Sequence, residues 1–242
     1  MRTTFTASAV FLAALALTGP AGAIVYGGPD GNDHPEVAVI LAPKAFSDGA
    51  WGACSGTLVA ANVVLTAAHC NQGVTRVRVS FDSHFDPATG TAYTGTWHAD
   101  PAFIRRQSNS HDLAVIVLDE EPDGITPAEL PEQGSLAHLG RRAKLTAVGY
   151  GAQSVIKGKG GARLHHEDTR FAAVGTLNAV NPAWLRISMN PAKGDGGTCF
   201  GDSGGPNFLG AGSTETEIVQ EWLCPAKGAE RPTQTATAVR ES

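Results

Sequence analysis

Beyond Pro29 the chain is a succession of short apolar runs broken by clusters of Gly, Pro, Asn and Asp. Apolar residues recurring at helical spacing are rare, and runs of this length bounded by turn formers read as strands. In the first half the pattern predicts strands at Val37–Ala42, Ser55–Val59, Val63–Ala67, Val77–Phe81 and Leu113–Leu118. In the second half it predicts them at Lys144–Tyr150, Phe171–Leu177, Trp184–Met189 and Pro206–Leu209. Their spacing, with turn signals between, is that of a barrel or sandwich. Glu120–Gln133, with three prolines and a glycine, reads as the linker between two halves, and the Gly- and Lys-rich Ser154–Gly161 as a mobile loop.

The N-terminal residues follow another pattern. Arg2 precedes the uncharged, mostly apolar stretch Phe5–Leu17, and Ala21-Gly22-Ala23 then offers a small-x-small cleavage site, so residues 1–23 read as an export signal. About 13 weakly apolar residues fall short of the roughly 20 that cross a bilayer. Removing residues 1–23 leaves 219 of the 242 residues, enough for a substantial core. Glycine accounts for 29 residues, well above the usual ~7 per cent, which supports a turn-rich β chain. The formal charge of −5 becomes −6 once Arg2 is lost, and no basic cluster stands out. Nucleic acid and stable membrane association are therefore not expected.

Four cysteines, Cys54, Cys70, Cys199 and Cys224, in an exported chain point to disulfides, with three pairings open. No Cys-x-x-Cys or His-x-x-x-His accompanies them, so no metal site is expected.

Three segments carry the chemistry: Thr66-Ala67-Ala68-His69-Cys70, His111-Asp112-Leu113-Ala114-Val115 and Gly201-Asp202-Ser203-Gly204-Gly205-Pro206. A serine hydroxyl is a weak nucleophile until a base takes its proton, and an imidazole serves best when a carboxylate fixes its tautomer. Singly, His69 reads as a structural histidine, Asp112 as a strand-end residue and the glycine-flanked Ser203 as a tight loop. Together, in the order His69, Asp112, Ser203, they supply base, orienting acid and nucleophile. Gly-x-Ser-x-Gly also marks the nucleophile elbow of α/β-hydrolases, but that fold orders its triad Ser, then Asp or Glu, then His, and here no histidine and no aspartate follows Ser203. The other histidines, His34, His84, His98, His111, His138, His165 and His166, read as structural or surface residues.

On these motifs the chain resembles the chymotrypsin-like (trypsin-like) serine peptidases from Ile24 to about Val219. The resemblance implies an all-β fold of two packed six-stranded antiparallel β-barrels: residues 24–130 carrying His69 and Asp112, and 131–224 carrying Ser203. It implies a secreted endopeptidase working through the triad His69, Asp112 and Ser203, with the backbone N–H groups of Gly201 and Ser203 as the oxyanion hole. Cys54 and Cys70 match the family's disulfide beside the histidine, and Cys199 and Cys224 the spacing of its pocket disulfide. Cleavage after Ala23 would expose Ile24-Val25-Tyr26-Gly27-Gly28, similar to the family's mature N-terminus, whose α-ammonium pairs with the aspartate before the nucleophile, here Asp202. Gly197, followed by Thr198, stands where the family's trypsins carry an aspartate, which implies a neutral pocket and an apolar side chain before the scissile bond; Asp195 lies two positions earlier. A polypeptide substrate, a monomeric state and no cofactor complete the expectation.

The resemblance fails after Val219. Gln220-Glu221-Trp222-Leu223-Cys224 replaces the family's cleft-lining strand, with Gln220 at its serine, and residues 225–242 read as a disordered tail. The second barrel is then expected to be incomplete. This end also opens a second reading, a catalytically inactive homologue that binds peptides or partners, or a truncated remnant.

Overall fold

A computed structural model describes residues 24, 26–105, 109–132, 134–158, 161–181, 184–210, 220–221 and 233–236. Its first half is a closed barrel of β2 (Val37–Leu41), β3 (Gly52–Ala60), β4 (Val63–Thr66), β5 (Arg76–Ser80), β6 (Tyr93–Ala99) and β7 (Ala114–Leu118), in the order β2-β3-β4-β7-β6-β5. Its second half is a curled antiparallel sheet built on β8 (Lys144–Gly149), β11 (Phe171–Asn181), β12 (Trp184–Ser188) and β13 (Asn207–Leu209). On that sheet, β1 (Gly28–Pro29) pairs with β11, and the short β14 (Gln220–Glu221) and β15 (Thr233–Ala236) extend the β12 edge. The expected chymotrypsin-like all-β architecture is present, with one barrel closed and the other a half-barrel among the described residues.

The burial of β2 explains why its sequence is an unbroken apolar run. All five residues are buried. Ala38 and Ile40 face the interior of the first barrel with Leu58, Val64, Val79 and Ile116, whereas Val37, Val39 and Leu41 face outward onto Val148, Tyr150 and Phe208 of the second half. Alternation disappears when both faces of a strand are covered. The outward face of β2 is thus the seam between the two halves.

Three differences from the sequence reading have physical reasons. Tyr93–Ala99 is a barrel strand that the apolar pattern does not reveal, because only Gly95 and Trp97 are buried on it. Ser154–Gly161, read as a mobile loop, instead starts a hairpin of β9 (Ser154–Gly158) and β10 (Gly161–His165), with Gly158 opposite Gly161. Its Val155 and Ile156 favour a strand, and the glycines permit the reversal. Within 225–242, read as a tail, Thr233–Ala236 pairs with β12, as its alternating threonines allow.

A buried polar network holds the seam. Arg170, fully buried, donates from Nε to Asp30 Oδ2 at 2.8 Å and from one terminal nitrogen to the carbonyls of Val37 and Phe81, each at 3.0 Å. The same nitrogen lies 3.1 Å from the Tyr150 hydroxyl, which donates to the Asp82 carbonyl at 2.7 Å; burial pushes that phenol's pKa up. Asp30 also meets His34 Nδ1 at 2.5 Å. Burial raises the Asp30 pKa, but His34 and Arg170 outweigh it and hold the carboxyl below its usual range. Nearby, Asp168 accepts the backbone N–H groups of Trp51 and Gly52, both at 2.7 Å, fastening the second half to the start of β3.

Candidate active site

Strand pairing brings the first two candidate residues together. β4 and β7 are antiparallel with Thr66 opposite Ala114, so the chain leaving β4 and the chain entering β7 lie at one end of the barrel. His69 sits there in a single 3-10 turn, Ala68–Cys70, and Asp112 just before β7. His69 Nδ1 is 2.6 Å from Asp112 Oδ2, and the His69 backbone N–H donates to Asp112 Oδ1 at 2.8 Å. Asp112 is 3% exposed, so water competes little for either oxygen. The Cys54–Cys70 disulfide anchors the turn to β3. Cys54, His69 and Cys70 converge, but the two sulfurs are bonded to each other and offer no thiolate pair to a metal.

Ser203 arrives from the other half, on a tight loop closed by Asp202 N–H to Cys199 O at 3.1 Å and Gly205 N–H to Asp202 O at 2.9 Å. The Ser203 carbonyl accepts the Ser55 N–H at 2.9 Å, and the Ser55 hydroxyl donates to the Gly201 carbonyl at 3.0 Å, so β3 holds the loop from below. Gly204 has φ +79, and a Cβ there would overlap Thr66 Oγ1 and the backbone of Ser55 and Ala67. His69, Gly201 and Ser203 line one open cleft of about 650 Å³, with Phe46, Asp48, His166 and Phe200 around it.

Asp202 points away from the cleft into the second half. It is fully buried and accepts N–H groups from Gly151 and Cys199, each at 2.7 Å; burial pushes its pKa up to about 7 against those bonds. Ile24 is buried on Ala147, Phe171 and Ala173 of the same half. Gly197 and Thr198 are buried just before Cys199, which is disulfide-bonded; Cys224 lies outside the described residues. Asp195 turns to Lys144 and Thr176 and borders a separate groove, away from Ser203. His166, read from sequence as structural or surface, lines the Ser203 cleft. Nothing in its local sequence signals this, because its contacts are with Asp48 and Phe200, far along the chain.

The trypsin family model matches residues 37–238. Chymotrypsin-C of Bos taurus is 32% identical over 199 residues, covering 75% of this chain and 71% of its own. Trypsin of Saccharopolyspora erythraea is 29% identical over 197 residues, covering 75% and 80%. Among solved structures, human heparin binding protein aligns with a TM-score of 0.63 at 19% identity, over 88% of this chain and 90% of that one, a likeness of fold. With a match across most of its length and a chymotrypsin-like architecture, this chain belongs to the family of trypsin-like serine peptidases.

Proposed function

We propose that the chain is a secreted serine endopeptidase that cleaves polypeptides through an acyl-enzyme on Ser203. The observation that carries this reading is one buried carboxylate holding both the ring and the backbone of His69, in the cleft that Ser203 also lines. In this mechanism Asp112 fixes the His69 tautomer with the proton on Nδ1, leaving Nε2 to take the Ser203 proton as Oγ attacks the scissile carbonyl. The carbonyl oxygen becomes an oxyanion held by the N–H groups of Gly201 and Ser203. His69 then protonates the leaving amine, and water, activated by the same ring, releases the acid.

Signal cleavage after Ala23 frees the Ile24 α-ammonium to pair with Asp202, adding a cation to the buried carboxylate that the Gly151 and Cys199 N–H groups already hold. The neutral Gly197 and Thr198 favour an apolar side chain in the specificity pocket, since neither offers a carboxylate to a buried Lys or Arg. The enzyme acts as a monomer. Gln220, at the position of a family serine, supports a second reading in which the site is inactive and the cleft binds peptides.

Labelling of the secreted protein with a serine-reactive fluorophosphonate, with Ser203→Ala as control, separates the two. Labelling that vanishes in the variant supports the peptidase. A folded, processed chain that resists the reagent supports the inactive homologue.

A further inference from the structure

Phe200 and Gly201 share one peptide unit, so the Phe200 carbonyl and the Gly201 N–H lie on opposite edges of a single plane. Whatever holds the carbonyl therefore aims the N–H. Gly201 has φ +101 and no side chain, and the Phe200 side chain is 41% exposed, so neither side chain fixes the orientation of this plane. Two donors hold its carbonyl instead: the Ala152 N–H at 2.7 Å and His166 Nε2 at 3.3 Å. The other ring nitrogen, Nδ1, faces Asp48 Oδ2 at 3.2 Å. Asp48 belongs to the loop between β2 and β3, and His166 to the segment between β10 and β11. The pair thus joins both halves of the molecule over this one peptide. A ring carrying both protons makes both bonds at once, and a neutral ring makes only one.

We propose that His166, oriented by Asp48, is a positioning residue for the Phe200–Gly201 peptide and so for acyl transfer to Ser203. The inference rests on the reading of the Gly201 N–H as an oxyanion donor. A donor turned away from a developing oxyanion removes stabilisation from the transition state while leaving ground-state binding in place. Loss of the clamp therefore lowers the rate of acylation and leaves the number of competent serines unchanged.

The test is the burst of p-nitrophenolate from p-nitrophenyl acetate, a small ester that needs no specificity pocket, on the secreted, processed protein. His166→Phe should keep the burst amplitude and slow its rate by about 10- to 100-fold, with little change in the half-saturating ester concentration. His166→Gln, whose amide N–H can still reach the Phe200 carbonyl, should restore most of the rate. Asp48→Asn, on an exposed loop, should fall between, and it decides the matter if His166→Phe does not fold. A burst at the wild-type rate in His166→Phe and Asp48→Asn overturns the proposal while leaving the peptidase reading intact. So does a slowed burst that His166→Gln fails to restore and that tracks a lowered melting temperature, since packing alone then accounts for it. A wild-type protein that releases no p-nitrophenolate above the Ser203→Ala background, in the burst or in the steady state, removes the peptidase reading and the clamp with it.

Discussion

Arg170 Nε donates to Asp30 Oδ2 at 2.8 Å with both side chains sealed from water, so an ion pair formed across 140 residues of sequence fastens the segment after Ile24 to β11. A buried guanidinium whose carboxylate is removed keeps its desolvation cost and loses its compensation. Asp30→Ala is accordingly expected to destabilise the fold by about 3–5 kcal/mol. Asp30→Ala combined with Arg170→Met should recover a large part of that loss, because the double variant removes both members of this buried ion pair and leaves only the His34 ring without its carboxylate. Urea midpoints for the two single variants and the pair test this; additive losses would show that the pair is not a coupled unit.

The same network marks the boundary of what can be read from sequence. His69, Asp112 and Ser203 stand out because the chemistry they suggest demands particular residue types inside short local motifs. The all-β class is legible because β2, β4, β7 and β8 are short apolar runs between turn formers. Asp30 and Arg170 carry no local motif that marks them, and His34 reads only as structural or surface, since the partners that allow them to be buried are supplied only by the tertiary fold. Tyr93–Ala99 escapes for the opposite reason: a closed barrel completes its hydrogen bonding with a strand that contributes few apolar side chains. His166 escapes because a histidine's meaning lies in what faces its two nitrogens.

Asp112 accepts two N–H groups from one residue, which makes the outcome of Asp112→Asn specific. An asparagine offers one acceptor oxygen, so its amide nitrogen must face either the His69 backbone N–H or Nδ1. If it faces the ring, it selects the tautomer with the proton on Nε2, which cannot take the Ser203 proton. Turnover of a peptide substrate should fall by roughly 10⁴-fold with the far-ultraviolet circular dichroism unchanged. Retained turnover would mean either that the asparagine oxygen still accepts the Nδ1 proton or that His69 is not the base, and loss of turnover in His69→Ala separates the two.

Gly204 combines a left-handed backbone with a site already filled by Thr66 and the Ser55 and Ala67 backbone. Gly204→Ala should cost about 1–2 kcal/mol for the backbone conformation alone, with the steric overlap added to it. Because the relief must come from the Ser203 loop or from the end of β4 before His69, activity should fall along with stability. The urea midpoint and the fluorophosphonate labelling rate should drop together; an unaffected labelling rate would mean that the loop relaxes elsewhere.

Asp202 is expected to give the chain a stability that depends on pH and, with the proposed cleavage after Ala23, on processing. Its pKa, usually 3.8, is raised by burial to about 7 in the folded, uncleaved chain. Below pH ~4 the group is protonated in both folded and unfolded states and costs nothing. As pH rises from ~4 to ~7 the unfolded chain releases this proton while the folded chain keeps it, so stability falls, by up to about 4 kcal/mol once the folded group also ionises. An Ile24 α-ammonium docked beside the carboxylate reverses this, because opposite charge favours the ionised form and lowers its pKa. The uncleaved chain should therefore be less stable at pH 7.5 than at pH 4.5 through this group, Asp202→Asn should flatten that slope, and the processed chain should recover the loss. Chemical denaturation of the three forms at both pH values measures it. Equal slopes in the processed and uncleaved chains would place the new ammonium away from Asp202.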